Sequence, residues 1–214
     1  MTSFIVPRPP SPFPKINTRK IAQGAALHRN HLSSFRATQF NPCMGQPTRF
    51  APFNDSFGNC VPTLYAATSR EAAAFESIFH DIDPAAAFKT VRLATVEHRS
   101  ASIVAPKRDL LLASLFSPDL KAWGLSRTDL IETAKSTYAE TASWAEALHH
   151  ANADIDGMIW TSRQCDPDQC VILFEDRLPE DQLEIVECIE AGSNAGLLLE
   201  LRAFGARAGI TIIS

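Results

Sequence analysis

Thr63-Leu64-Tyr65-Ala66-Ala67-Thr68-Ser69-Arg70-Glu71-Ala72-Ala73-Ala74-Phe75-Glu76 changes structural period within a single short stretch. Thr63 to Ala67 is a brief apolar run closed by hydroxyl residues, which predicts a strand. Thr68 precedes Glu71 by three positions, the pattern of a capping box, and the alanines behind it predict a helix. Ala72, Phe75, Ile78, Phe79 and Ile82 recur at helical spacing, so that helix is expected to continue with one apolar face. Glu76 sits at the border of this face. A carboxylate there, close to a strand end, is expected to point into a cleft.

Upstream, residues 39–62 hold Pro42, Gly45, Pro47, Pro52, Gly58 and Pro62, which predicts a long loop. This loop carries Arg49, and its Phe40, Phe50, Phe53 and Phe57 require somewhere to pack. Asn17 to Leu32 reads as a short helix followed by a strand through Ala26-Leu27-His28-Arg29. Residues 1–15, with Pro7, Pro9, Pro10, Pro12 and Pro14, are expected to form an extended arm laid over the domain or a partner.

Downstream, Lys89 to Glu97 alternates with period two and predicts a strand. Leu110 to Leu115 predicts another. Ser126 is placed to cap a helix running to His150, and Gly157–Ser162 and Cys170–Phe174 read as a strand pair. Ser193–Ala208 is helical in pattern and Ile210–Ile213 closes as a strand. With no repeat and no linker, residues 16–214 are expected to form one α+β domain.

The formal charge of −4 and the lack of any basic run argue against direct nucleic-acid binding. No window approaches the ~20 apolar residues of a membrane span. The start of the chain is too short in apolar residues for a secretory core, and Cys43, Cys60, Cys165, Cys170 and Cys188 are irregularly spaced. A cytoplasmic protein with reduced thiols is the expectation. Cys165 and Cys170 lack a second close pair, so no metal is expected. Neither a Gly-x-Gly-x-x-Gly fingerprint nor a P-loop occurs, which disfavours a recycled dinucleotide or a nucleoside triphosphatase.

Arg49, Tyr65 and Glu76, followed much later by Ser162 within Gly157-Met158-Ile159-Trp160-Thr161-Ser162-Arg163, resemble the RES domain family, named for its Arg, Glu and Ser. The likeness covers most of residues 25–175. Pro47-Thr48-Arg49-Phe50-Ala51 stands where many members have Gly-Gly-Arg-Trp-Asn, and the segment between Arg49 and Tyr65 is longer than in compact members. Arg29, in Leu27-His28-Arg29-Asn30, resembles an earlier position where the family often has an aromatic–Arg pair.

The resemblance implies an ADP-ribosyltransferase-like mixed sheet core flanked by helices. It implies that NAD is consumed as a substrate, not held as a cofactor, by hydrolysis or by phosphorolysis with inorganic phosphate. It further implies a toxin of a toxin–antitoxin system, blocked by an antitoxin with a helix-turn-helix domain. Glu76 would stabilise the oxocarbenium-like transition state at the ribose. Arg49, and with it Arg29, would hold phosphate through a planar fork. Tyr65 would pack on nicotinamide and anchor it with a phenolic hydrogen bond, and Ser162 would either bond the ribose or hold Glu76. Two alternatives stand beside this: ADP-ribosyl transfer to a protein, and a non-catalytic module that binds a partner. Homo-oligomerisation is left open.

Overall fold

The computed structural model describes residues 6–214. Its main sheet has eight strands: β1 (Thr18–Ile21), β2 (Leu27–Leu32), β3 (Thr63–Ala67), β5 (Arg99–Pro106), β6 (Leu110–Ser114), β7 (Gly157–Thr161), β8 (Gln169–Phe174) and β9 (Leu183–Glu190). Their order is β1-β6-β7-β8-β3-β2-β5-β9, antiparallel throughout except for the parallel β6–β7 pair. A small parallel pair, β4 (Thr90–Arg92) with β10 (Thr211–Ile213), stands apart. This is one α+β domain with a mixed sheet, as expected.

Alternation along the central strands divides the core in two. Ala67, Met158, Trp160, Ile172 and Phe174 point to one face and Leu64, Ala66, Ile159, Val171 and Leu173 to the other. Strands buried on both faces read as continuous apolar runs, which is why Cys170–Phe174 was legible. Helices α1 (Arg70–Phe75), α3 (Ser117–Ala122), α5 (Tyr138–Ala151) and α6 (Ala195–Arg207) supply buried residues to the first face. The second face is closed by Ala37, Phe40 and Leu178 from connecting segments and by Leu183 at the start of β9.

Several expectations are corrected. Residues 17–32 contain no helix: Thr18–Ile21 is an edge strand on β6, mostly exposed and therefore without an apolar period to read. Lys89–Glu97 is not one strand but β4 followed by α2 (Leu93–Glu97). Val91 and Val96 are both buried, yet five positions apart they cannot share a strand face, and the switch to helix buries both. The cap of α1 is Ser69, not Thr68: its Oγ accepts from the Ala72 amide at 3.0 Å. Thr68 and Ser69 both donate to the Asp168 carboxylate in the β7–β8 turn.

Helix α1 stops at Phe75 instead of running on. Ser77 Oγ donates back to the Ala73 carbonyl at 2.6 Å, and the amides of Ile78 and Phe79 share the Ala74 carbonyl. The chain thus tightens into turns that still bury Ile78 and Phe79. The helix expected from Ser126 to His150 is broken too. Ser126 and Asp129 do form a capping box, but α4 (Arg127–Leu130) ends at once and α5 begins at Tyr138. The break frees the backbone of Thr133 for partners outside a helix.

The proline-rich arm, from Val6 onward, lies over the domain; residues 1–5 fall outside the described residues. Val6 is buried, the Trp144 indole donates to the Pro7 carbonyl at 2.7 Å, and Phe13 packs edge-on against Trp123 and Trp144. The expectation of uniformly reduced thiols is also corrected: Cys43 and Cys60 form a disulfide across the Arg49 loop, with Cα atoms 6.5 Å apart. Packing of Phe50, Phe53 and Val61 into the core folds the loop back and brings the two cysteines together. Cys165, Cys170 and Cys188 are free.

Gly157 opens β7 where the strand touches β8 most closely. A Cβ there would lie 2.0 Å from the Ile172 carbonyl oxygen and 3.1 Å from Leu173 Cα, both backbone atoms that cannot rotate away. Gly157→Ala is expected to cost about 3 kcal/mol or more, the upper end for overpacking. Urea unfolding measures it, and a midpoint equal to that of the parent chain refutes the close approach.

Candidate active site

Strand β7 delivers Ser162 to the start of the β7–β8 turn, where it is fully buried. Its hydroxyl accepts from the amides of Gln164 (3.1 Å) and Cys165 (3.0 Å) and donates to Glu76 Oε1 at 2.6 Å. That uses its one donor and both acceptor sites. Glu76 Oε1 also accepts from the Arg163 amide at 3.1 Å. Glu76 itself caps the C-terminus of α1, the end least suited to a negative charge. Two donors aimed at one oxygen offset that placement, and Oε2 is left without a hydrogen-bond partner among the described residues.

Glu76 lines a cleft of about 500 Å³ on the helix-bearing face of the sheet, together with Arg49, Tyr65, His80, Tyr138 and Trp160. Arg49 is 6% exposed despite its loop position. Its Nη1 donates to Thr133 Oγ1 at 2.8 Å and its guanidinium carbon lies 5.3 Å from the centre of the Tyr138 ring. Its carbonyl accepts from the Thr141 hydroxyl. Burial draws its pKa below the usual arginine value, with Tyr138 and Glu76 working in the other direction. Nη2 is buried and finds no partner among the described residues.

Tyr65 stands between these groups on β3. Its hydroxyl accepts from the Phe50 amide at 3.1 Å and meets Thr48 Oγ1 at 3.0 Å. Thr48 Oγ1 donates to the Ala51 carbonyl, so the Tyr65 hydroxyl is the donor in the Thr48 pair. The phenol therefore fixes the Arg49 loop, and its ring is what it offers the cleft. Burial pushes its pKa up to about 12, the nearby Thr48, Phe50 amide and Arg49 notwithstanding, so it stays protonated. Burial likewise raises the Cys170 thiol at the cleft wall well above its usual value, which leaves it a poor nucleophile.

The structure thus brings Arg49, Tyr65 and Glu76 to one cleft. Ser162 reaches it only through the carboxylate it holds: of its two expected roles, bonding ribose is ruled out by complete burial and holding Glu76 is observed. Arg29 borders the cleft, but its guanidinium is not brought to the others. Alternation turns its side chain to the opposite face, where Nη1 donates to the carbonyls of Ala37 (2.7 Å) and Arg36 (3.4 Å). Burial draws Arg29 down to about 10 against the pull of Glu180.

Other groups escaped the sequence reading. His80 Nδ1 contacts Asp81 Oδ1 at 2.7 Å and its Nε2 lies 3.4 Å from the Tyr138 hydroxyl, which ties Tyr138 to the turn after α1. The Thr133 carbonyl accepts from Arg163 Nη1 at 2.9 Å and its hydroxyl from Arg49, so the break between α4 and α5 joins two sides of the site. His28, Asn30 and Arg99 line the far end of the cleft. No pattern announced them, since β2 is polar on both faces and Arg99 follows a helix. Among the described residues, no group of three or more His, Cys, Asp and Glu side chains is arranged for a metal ion, and no helix is long and apolar enough to cross a membrane.

Comparison with known proteins places this arrangement. No curated protein matches the sequence. The fold is similar to a chain in the crystal structure of the M. tuberculosis MbcT–MbcA toxin–antitoxin complex, with a TM-score of 0.60 and 20% identity over 86% of this chain and 92% of that one. At that identity the likeness speaks for the fold. The RES domain model matches residues 26–193, well over half of the chain and a span that contains Arg49, Tyr65, Glu76 and Ser162. The chain belongs to the RES domain family.

Proposed function

We propose that this chain is the toxin of a toxin–antitoxin pair and that it depletes NAD by breaking the bond between nicotinamide and ribose. The observation that carries the reading is the Glu76 carboxylate, held through Oε1 by Ser162 and Arg163 on the wall of the cleft opposite Arg49. Family membership over residues 26–193 supports it, as does a fold similar to a chain from a toxin–antitoxin complex. The partner is then an antitoxin with a helix-turn-helix domain, and the cytoplasmic setting follows from that partner and not from the thiols, two of which are paired.

In this reading the pyridinium nitrogen takes the electron pair of the glycosidic bond and nicotinamide leaves neutral. The ribose carbon develops positive charge, which the fixed negative charge of Glu76 stabilises without reorganisation. Glu76 Oε2, without a partner among the described residues, accepts a proton from an attacking water, or orients inorganic phosphate through its hydroxyl. Arg49 Nη2, buried and unpartnered, donates to a phosphate oxygen, and Nη1 stays on Thr133 to keep the fork in place. The Tyr65 and Trp160 rings, 6.3 Å apart, offer aromatic surface to the nicotinamide.

Incubation of the purified protein with NAD, with and without phosphate, and resolution of the products by mass tests the reading. Free nicotinamide is expected, with ADP-ribose or its 1″-phosphate beside it; NAD intact in both reactions overturns it. Glu76→Gln keeps the shape and an acceptor for Ser162, so its melting temperature should stay within a few degrees while the rate falls by about 10²- to 10⁴-fold. A variant that turns over NAD at the parental rate removes Glu76 from the chemistry.

Ser162→Ala separates support from chemistry. It leaves the Gln164 and Cys165 amides without their acceptor and Glu76 without its shortest bond, for an expected loss of about 1–3 kcal/mol in stability. The rate should fall with it, while Ser162→Thr, which keeps the hydroxyl, should recover part of both. An alanine variant as stable as the parent would show that the hydroxyl is not the hub of the turn.

A further inference from the structure

Buried polar atoms normally have a partner, and those left without one in a native fold call for an explanation. Among the described residues five buried side-chain atoms lack a partner, and four of them, His28 Nδ1, Asn30 Oδ1, Arg49 Nη2 and Arg99 Nε, belong to residues lining the one cleft. Arg49 is accounted for beside Glu76. The other three form a separate group on neighbouring strands.

Register places them together. His28 pairs with Ala67 on β3 and Ile103 on β5, Asn30 with Ala101, and Leu32 with Arg99, so all of these share the sheet face that carries Tyr65. Arg99 lies on β5, two strands along the sheet from Tyr65 on β3. Its guanidinium makes no hydrogen bond and no ion pair among the described residues. The other half-buried arginines do have partners: Arg70 holds Glu187 and Glu200, Arg108 holds Asp156, Arg127 holds Glu132, Arg163 holds Thr133, Arg177 holds the Ala153 carbonyl and Arg29 the Ala37 carbonyl. Burial lowers the pKa of Arg99 with no neighbouring charge to offset it, and burial together with Arg70 lowers that of His28, which keeps the imidazole neutral.

We propose that Arg99, with Asn30 and His28 beside it, holds the adenylate half of the dinucleotide, the guanidinium on a phosphate oxygen and the amide and imidazole on ribose or base. This rests on the reading of Glu76 as the NAD-cleaving end of the same cleft. A half-buried unpaired cation asks for an anion, and neighbouring neutral amide and imidazole groups ask for hydroxyls or ring nitrogens. A nucleoside phosphate carries all of these. Its role on the adenylate half, and not at the scissile bond, makes Arg99 a specificity residue and not a catalytic one.

Calorimetric titration of the full chain with AMP, which lacks the scissile bond, tests the subsite directly. AMP should bind the parent, bind Arg99→Gln about 10- to 100-fold more weakly, and bind Arg99→Lys at an intermediate level. Kinetics then compares NAD with nicotinamide mononucleotide, which has the scissile bond but no adenylate. Arg99→Gln should lose about 10- to 100-fold in kcat/KM for NAD, chiefly through KM, and far less for the mononucleotide, whereas Glu76→Gln should lose both. No AMP binding by the parent, parental NAD kinetics in Arg99→Gln, or equal losses on the two substrates overturns the proposal. The two readings fail separately: AMP bound through Arg99 with NAD left intact sinks the cleavage reading alone, and NAD cleaved regardless of Arg99 sinks the subsite alone.

Discussion

The hydrogen bond from Ser162 to Glu76 is the constraint around which the site is built. A carboxylate at the end of a helix and half out of water is costly unless donors meet it, and the β7–β8 turn supplies a hydroxyl and an amide to one oxygen. The same hydroxyl gathers the amides of Gln164 and Cys165, so the turn cannot shift without loosening the carboxylate. Asp168, at the other end of that turn, holds Thr68 and Ser69 at the start of α1. Both ends of α1 are therefore pinned to one loop, and a helix of six residues, too short to be stable alone, is fixed as part of the sheet.

The opposite wall uses the same economy of groups. Arg49 lies on a long loop, yet Thr133, Tyr138 and Thr141 hold its side chain and carbonyl, and Tyr65 ties down the residues on either side. The disulfide between Cys43 and Cys60 closes the loop from outside. One end of the guanidinium is held and the other is left unpaired, an arrangement that favours a bound oxygen over a surface ion pair.

Much of this was legible where burial imposes a period. β3, β7 and β8 were found because both of their faces are covered, while Glu76 and Ser162 stood out as site residues through the resemblance to the RES family. The breaks were not legible. The α4–α5 gap and the early stop of α1 arise from side chains that bond the backbone locally or across the site, Ser77 to Ala73 and Thr133 to Arg49, and helical spacing carries no mark of them. Arg29 misled because adjacent residues in a strand face opposite ways: the motif drew attention to it, while its neighbours His28 and Asn30 are the ones that look into the cleft. Arg99 stood outside any motif, and only strand register brings it near them.

The separation of Glu76 from Ser162 along the chain also bears on synthesis. The two are 86 residues apart, so at about 5–20 residues per second a growing chain carries the carboxylate for roughly 4–17 s before its hydroxyl partner exists. Thr133, which orients Arg49, arrives in the same interval. A ribosome-bound fragment that ends between Glu76 and Ser162 contains Arg49, Tyr65 and Glu76 but neither donor that fixes the carboxylate. The assembled site is thus a late product of translation.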